Sequence, residues 1–224
     1  MILEHVVPWG RNLTEYQEMF ALSDVDLQQN ILGCSDGPSS FNKELTSLGG
    51  MITSIDPVYE FTKDQILQRI KQTSQTIVDQ VRKTKDDFVW NTIKSVEALK
   101  EIRLSAMGNF LDDYDKGKEE QRYIKGALPN LPFEADHFDL VLCSHFLFLY
   151  SDHFDLKFHI DSVKAMSKVG KEVRIFPLLD LKGERSHYLD PLMKVLEDEG
   201  HQCLIVKVDY EFQKGGNEML KITL

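Results

Sequence analysis

The sequence is poor in sulfur chemistry. Its three cysteines, Cys34, Cys143 and Cys203, are scattered over 224 residues and odd in number, so a disulfide framework is not expected. Long apolar runs are missing too. None approaches the ~20 residues that cross a bilayer, and the opening MILEHVVPWGRN lacks a basic segment, an apolar core and a small-residue cleavage site in that order. A cytoplasmic protein with no membrane partner is the expectation. Nor is there an excess of positive charge. The net charge is −10. Residues 63–125 hold 13 Lys/Arg against 11 Asp/Glu, and the remainder holds 13 against 25. An acidic body of this kind repels nucleic acid, whose binding depends on cationic phosphate contacts, so no nucleic-acid partner is expected. Repeats of solenoid length are absent; DHFDL recurs at 136 and 152 with unrelated flanks.

What is present is an ordinary soluble composition, 42% hydrophobic and 28% charged, in a chain long enough for one well-buried α/β domain over residues 1–224. NLTEYQEMFALS reads as a helix, capped by Asn12 with Glu15 as its capping-box partner. NILGC is a short buried strand. SFNKELTSLGG is a helix closed by glycines, and MITSIDP is a second strand stopped by Pro57. Strand, glycine turn, helix and strand form a βαβ unit, hence a parallel sheet.

Residues 62–115 then carry a long helical pattern, more chain than a crossover needs. Thr62 and Gln65 make a capping box, with Phe61 placed to staple onto Ile66. A second apolar stripe runs from Trp90 and Ile93 to Met107. The polar run VRKTKDD predicts a turn, with Asp86 or Asp87 capping the next helix. Two helices packed near the edge formed by strands two and three are expected. Their stripe is most simply helix packing; a lid or a homodimer surface is the sharper alternative.

The parallel pattern resumes with RYIKGALP and FDLVLCSHFLFLY as strands. IDSVKAMSKVG is a helix, EVRIFPLLD a strand and DPLMKVLEDEG a helix. CLIVKVDYEF and EMLKITL flank QKGGN as a closing antiparallel hairpin.

The chemistry is expected at ILGCSDGPSSF, because a glycine turn at the C-terminal end of the first strand lies where open α/β sheets bind ligands. A dinucleotide G-x-G-x-x-G would need glycines at 33, 35 and 38. The chain has Gly33, Ser35 and Pro38 instead, which disfavours a nicotinamide oxidoreductase. Asp56 lies 19 residues past Gly37, at the spacing of a carboxylate that accepts from ribose hydroxyls. A nucleoside without a pyrophosphate fits this pattern better than NAD.

With these motifs in order, the chain resembles the class I S-adenosylmethionine-dependent methyltransferases. ILGCSDGPSSF is similar to the family's first motif, with Ser35 where a glycine is usual. ITSIDP resembles the acidic end of its second strand. GALPNLPFEADHFDLVLCSH resembles its run G-D-A-x-x-L-P-F-x-x-x-x-F-D-x-V-x-x-S-H at almost every spacing. The resemblance implies a Rossmann-like methyltransferase fold: a mostly parallel sheet, an antiparallel terminal hairpin and, here, a helical insertion after strand two.

It also implies S-adenosyl-L-methionine as cofactor. Gly33, Cys34, Ser35 and Gly37 would pass the methionine and ribose. Asp56 would take the ribose hydroxyls, while Pro57, Val58, Ala127 and Leu128 would line the adenine. Ser144 would face the cofactor. Ala127 stands where the family has an aspartate that accepts from the adenine amino group. His145 is the candidate catalytic base; the alternative is a histidine that packs against the cofactor. Arg11 would pair with the methionine carboxylate if the N-terminal segment folds over the site; a solvated arginine beside an anchoring Trp9 is the alternative.

Tyr150 and Asp180 follow strand ends and could reach an acceptor. His137, His145, His153 and His159 lack metal-ligand spacing, so no metal is expected. Cys34 reads as a small packed residue. No N-P-P-Y-type motif follows strand four, which leaves a small molecule or a protein as acceptor. A non-catalytic binding module of the same fold, eroded at Ala127 and Val169, is the alternative function.

Overall fold

The computed structural model describes residues 7–224. One sheet of seven strands organises them, in the order β3-β2-β1-β4-β5-β7-β6. Its strands are β1 (Asn30–Cys34), β2 (Met51–Ile55), β3 (Tyr123–Ile124), β4 (Phe138–Ser144), β5 (Gly170–Phe176), β6 (Gln202–Lys207) and β7 (Glu218–Thr223). The first five run parallel. β7 inserts antiparallel between β5 and β6, as the QKGGN turn predicts. This order, with β7 reversed, is the Rossmann-like methyltransferase fold.

Alternation along the central strands builds two cores. Leu140 and Leu142 face a layer holding Tyr16, Met19 and Phe20 of α1 (Leu13–Phe20) and Phe41 of α2 (Phe41–Ser47). Val141 and Cys143 face the other layer, formed by α5 (Leu156–Val169) and α6 (Leu189–Asp198). Neighbouring Cβ atoms on a strand point to opposite faces, so a continuous apolar run is what a doubly covered strand requires.

The helical pair is α3 (Lys63–Lys83) and α4 (Val96–Glu119). α3 starts at the anticipated capping box: Gln65 N donates to Thr62 Oγ1 at 3.3 Å, and Thr62 N donates to Gln65 Oε1 at 2.9 Å. Phe61, placed to staple onto Ile66, is exposed. The turn falls where VRKTKDD places it, but the next cap is Ser95, whose hydroxyl accepts from Ala98 N at 3.0 Å, rather than Asp86 or Asp87. Trp90 and Ile93 therefore sit in the connecting loop. The reason is tertiary: Phe88, Trp90 and Phe212 pack on one another, and the Trp90 indole N–H donates to Lys85 O.

One end of the pair packs at the edge formed by β2 and β3, as expected, where Phe110 and Tyr114 meet Tyr123; the other end runs past it. α3 has 21 residues, about 31 Å of helix. Four strand spacings separate β2 from β7, about 19 Å. The helix is long enough to leave β2 and reach the β6–β7 hairpin, and it does. Val89 N donates to Phe212 O at 2.7 Å, and Lys214 N donates to Asp87 O at 3.0 Å. α4 returns beside it and delivers Phe110 and Tyr114 to the cluster around Tyr59, which Tyr123 of β3 completes. The pair thus roofs the C-terminal ends of the strands. β3 is only two residues long, because RYIKGALP turns away after Ile124.

Candidate functional site

The loop after β1 is built around a buried carboxylate. Asp36 accepts from the Tyr16 hydroxyl at 2.8 Å and from the Ser54 hydroxyl at 2.6 Å. A Cβ on residue 33 would lie 1.8 Å from Asp36 Oδ2. The bare Gly33 makes room for Asp36. Gly33 and Cys34 do not line the cavity described below, which Ser35, Asp36 and Gly37 do. Cys34 is fully buried opposite Cys143, and burial pushes its thiol up.

Ser35 and Gly37 both adopt left-handed backbone, at φ 58° and 55°. This conformation aims Gly37 N at Asp56 Oδ2, 2.9 Å away. Val58 N donates to Asp56 Oδ1 at 2.7 Å, and the Tyr59 hydroxyl donates to Gly37 O at 2.7 Å. Each Asp56 oxygen accepts one backbone N–H and keeps acceptor capacity for a hydroxyl.

Above these groups lies a cavity of about 670 Å³, within the range of small-molecule sites. Pro57, Val58, Ala127, Leu128, Ser144, His145, Tyr150 and Arg11 are among the residues that line it. Leu128 is buried and Ala127 exposed. Ser144 Oγ and His145 Nδ1 are 2.9 Å apart. Burial, helped by Arg11 and Arg103, holds the His145 imidazole well below its ordinary range, so it is neutral at pH 7. Arg11 comes over the site as part of the N-terminal segment: its carbonyl accepts from Ser40 N and the Ser39 hydroxyl. Its guanidinium donates to Trp9 O at 3.0 Å, and its buried Nε has no protein partner.

Asp180 has no such place. Its Oδ1 accepts from Lys182 N and Glu184 N, so it fastens a turn, and it is not among the residues lining the cavity. His159 is buried between Asp155 O and Leu147 O, and His137 stacks on Phe133. Among the described residues no three His, Cys, Asp or Glu side chains gather as a metal site, and no helix is long and apolar enough to cross a membrane.

Burial raises both Asp36 and Asp56 to about 6. An unfolded aspartate titrates near 4, so both bind protons more tightly when folded. Their contribution therefore favours the folded state in acid and fades as pH rises from about 4 to about 6. For Asp36, 8% exposed, the penalty at neutral pH is at most about 3 kcal/mol. Urea unfolding of the ligand-free protein should show Asp36→Asn gaining stability relative to the parent as pH rises from 5 to 7.5. A gain independent of pH would contradict the assignment.

No family model matches the chain. A relative from Methanocaldococcus jannaschii, the uncharacterized protein MJ0045, is 35% identical over 221 residues, covering 98% of this chain and 97% of that protein. The chain belongs to that protein's family. Among solved structures, the magnesium protoporphyrin IX methyltransferase of Synechocystis with bound SAM is similar at 12% identity. It covers 89% of this chain and 72% of its own, with a TM-score of 0.47. A SAM-dependent methyltransferase from Aquifex aeolicus is similar at 13% identity, covering 93% and 90%, with a TM-score of 0.44. The fold assignment rests on the strand order and the reversed β7.

Three residues of this family member were not legible as site residues. Asp36 and Gly10 carry no spacing signal of their own. Arg103 sits on α4 at a helical position among apolar residues, where a charge should prompt a search for a buried partner. It finds Glu15, 2.6 Å away.

Proposed function

We propose that this chain is an S-adenosylmethionine-dependent methyltransferase acting on a small-molecule or protein acceptor. One observation carries the reading. Asp56, at the end of β2, is locked to Gly37 N across the mouth of the first strand, with acceptor capacity left facing a cavity above β1, β2 and β4. The residues present suit the cofactor. Asp56 would hold the ribose hydroxyls, with Ser35 and Gly37 passing the chain between ribose and methionine. Pro57, Val58, Ala127 and Leu128 would enclose the adenine. Arg11, with its unmet buried donor, suits the methionine carboxylate. Ala127 offers no side-chain acceptor to an adenine amino group, so apolar contact and backbone would hold the ring.

When bound, the cofactor supplies an electrophilic methyl on a sulfonium. The protein's part is to hold the acceptor in line with it, exclude water and take a proton. With Nδ1–H donating to Ser144 Oγ, His145 keeps its lone pair on Nε2 for the acceptor's proton. The acidic surface outside 63–125 argues against a nucleic-acid acceptor.

Calorimetry tests the cofactor claim. S-adenosylmethionine and S-adenosylhomocysteine should bind, and Asp56→Ala should weaken both by about 1–3 kcal/mol, the cost of unpaired hydroxyls in a buried site. Absence of binding at millimolar nucleoside would refute it. In turnover, His145→Ala should lower kcat by about 10²–10⁴-fold if it is the base, with nucleoside binding retained. An unchanged kcat would leave it a packing residue.

A further inference from the structure

The charges that line the cavity leave one arginine over. Four cations line it: Arg11, Arg69, Arg103 and Lys182. Arg103 is paired with Glu15 and Lys182 with Asp152, and Arg11 is the residue suited to the methionine carboxylate. Arg69, on α3, is exposed, and its guanidinium has no hydrogen-bond or ion-pair partner among the described residues. The helix itself supplies none. The residues three and four places away are Gln65, Ile66, Gln72 and Thr73, the positions from which a carboxylate would reach it. Arg82, later on the same helix, shows the ordinary arrangement, with Asp79 three residues before it at 2.8 Å. Of the carboxylates lining the cavity, Asp36 and Asp56 are held in the network of the glycine loop, and Asp87 lies beyond the far end of α3.

Arg69 does not stand alone. Gln65, Gln68 and Gln72 line the cavity with it, and at helical spacing the four side chains form one stripe. The side chains of Gln68 and Gln72 also lack partners among the described residues. Two amides flanking a guanidinium present their N–H donors together, a set that suits the oxygens of a carboxylate or a phosphate. Arg69 is the seventh of the 21 residues of α3, about 10 Å along the helix. α3 starts soon after Asp56 and ends against the β6–β7 hairpin. A group held at Arg69 therefore lies past Asp56, toward the end of β4 with Ser144 and His145. The guest has to fit beneath the roof. Tyr114 ties one end of the helical pair to the backbone at Tyr59 and Phe61, and Val89 and Asp87 tie the other end to the hairpin. Phe88, Phe146, Leu149 and Phe212 add apolar wall, which suits a small molecule with an apolar body.

We propose that the acceptor is a small molecule carrying an oxyanion, a carboxylate or a phosphate, and that Arg69, flanked by Gln68 and Gln72, binds this group as a handle. The rest of the molecule then lies under the roof with its nucleophile toward His145. Naming the guest as the methyl acceptor rests on the methyltransferase reading; the oxyanion subsite does not. Nothing in the protein pairs with the Arg69 guanidinium, so replacing it leaves the fold intact and its loss reads out on the ligand.

The test uses the full chain at low ionic strength, where a charge contact at an exposed rim is least screened. Benzoate, 2-naphthoate and phenyl phosphate are titrated by calorimetry beside their neutral counterparts benzamide, 2-naphthamide and phenol, with and without S-adenosylhomocysteine. At least one acid should bind at least about fivefold more tightly than its counterpart, and the two carboxylates against the phosphate tell which oxyanion is preferred. In Arg69→Gln that preference should fall below about twofold, while the affinity for S-adenosylhomocysteine changes less than about twofold. Failure of all three acids to bind at millimolar concentration, equal binding of acids and neutral counterparts, or a preference that survives Arg69→Gln would overturn the subsite and leave the cofactor reading intact. A large loss of S-adenosylhomocysteine affinity in Arg69→Gln would assign Arg69 to the cofactor and overturn it too. An Arg69-dependent preference for acids in a protein with no affinity for either nucleoside would keep the subsite and overturn the methyltransferase reading.

Discussion

Arg103→Met should lower the unfolding free energy by about 3–5 kcal/mol, the cost of leaving one member of a buried ion pair without its partner. Arg103 is 1% exposed and its Nη1 lies 2.6 Å from Glu15 Oε2. Burial works against its charge, yet Glu15 and Tyr210 leave its pKa raised, so it stays ionised. Glu15 does double duty. It also closes the capping box of α1, accepting from Asn12 N at 3.2 Å. The pair therefore ties the roof helix α4 to α1. The matched double variant Glu15→Leu/Arg103→Met should recover much of the loss, because apolar pairs of similar volume replace buried ion pairs at little cost. Urea unfolding of the four proteins gives the coupling directly. Single and double variants of equal stability would mean that Arg103 is there for its stem alone.

Gly10→Ala should weaken nucleoside binding by at least tenfold. A Cβ on residue 10 would lie 2.0 Å from Pro38 O and 2.7 Å from Pro38 C. These are backbone atoms of the glycine loop, so no side chain can rotate away. Either the N-terminal segment lifts, taking Trp9 and Arg11 with it, or the loop moves and displaces Gly37 from Asp56. Both routes damage the same site. Calorimetry with S-adenosylhomocysteine reads the loss, and far-ultraviolet circular dichroism checks that the sheet persists. Unaltered affinity would show that the close approach is not needed for binding.

The continuous apolar run of β4 is readable because it reports burial on two faces, and β2 because its β-branched residues favour a strand. The capping boxes at Asn12 and Thr62 are readable because they are local. Asp56 is readable because its distance from the glycine loop is fixed by one βαβ unit. What was not readable is long-range. The route of α3 over the sheet depends on Phe88 and Phe212, which are 124 residues apart in the chain. Helix periodicity says which face is buried, not which partner buries it. The contact of Gly33 with Asp36 is long-range too: a bare backbone gives the same sequence signal whether it makes room for a ligand or for a side chain.

The fastening of the roof to Phe212 and Lys214 also orders events during synthesis. Gly37, Asp56 and His145 emerge early, and the strands that carry them can pair as they appear. The roof is held near α1 and Tyr59 by Arg103 and Tyr114, but its far end has no anchor until the β6–β7 hairpin has formed. A nascent or shortened chain that lacks residues 212–214 would keep Gly37, Asp56 and His145 but leave the cavity open to water. Completion of the hairpin is what turns an exposed cleft into an enclosed one.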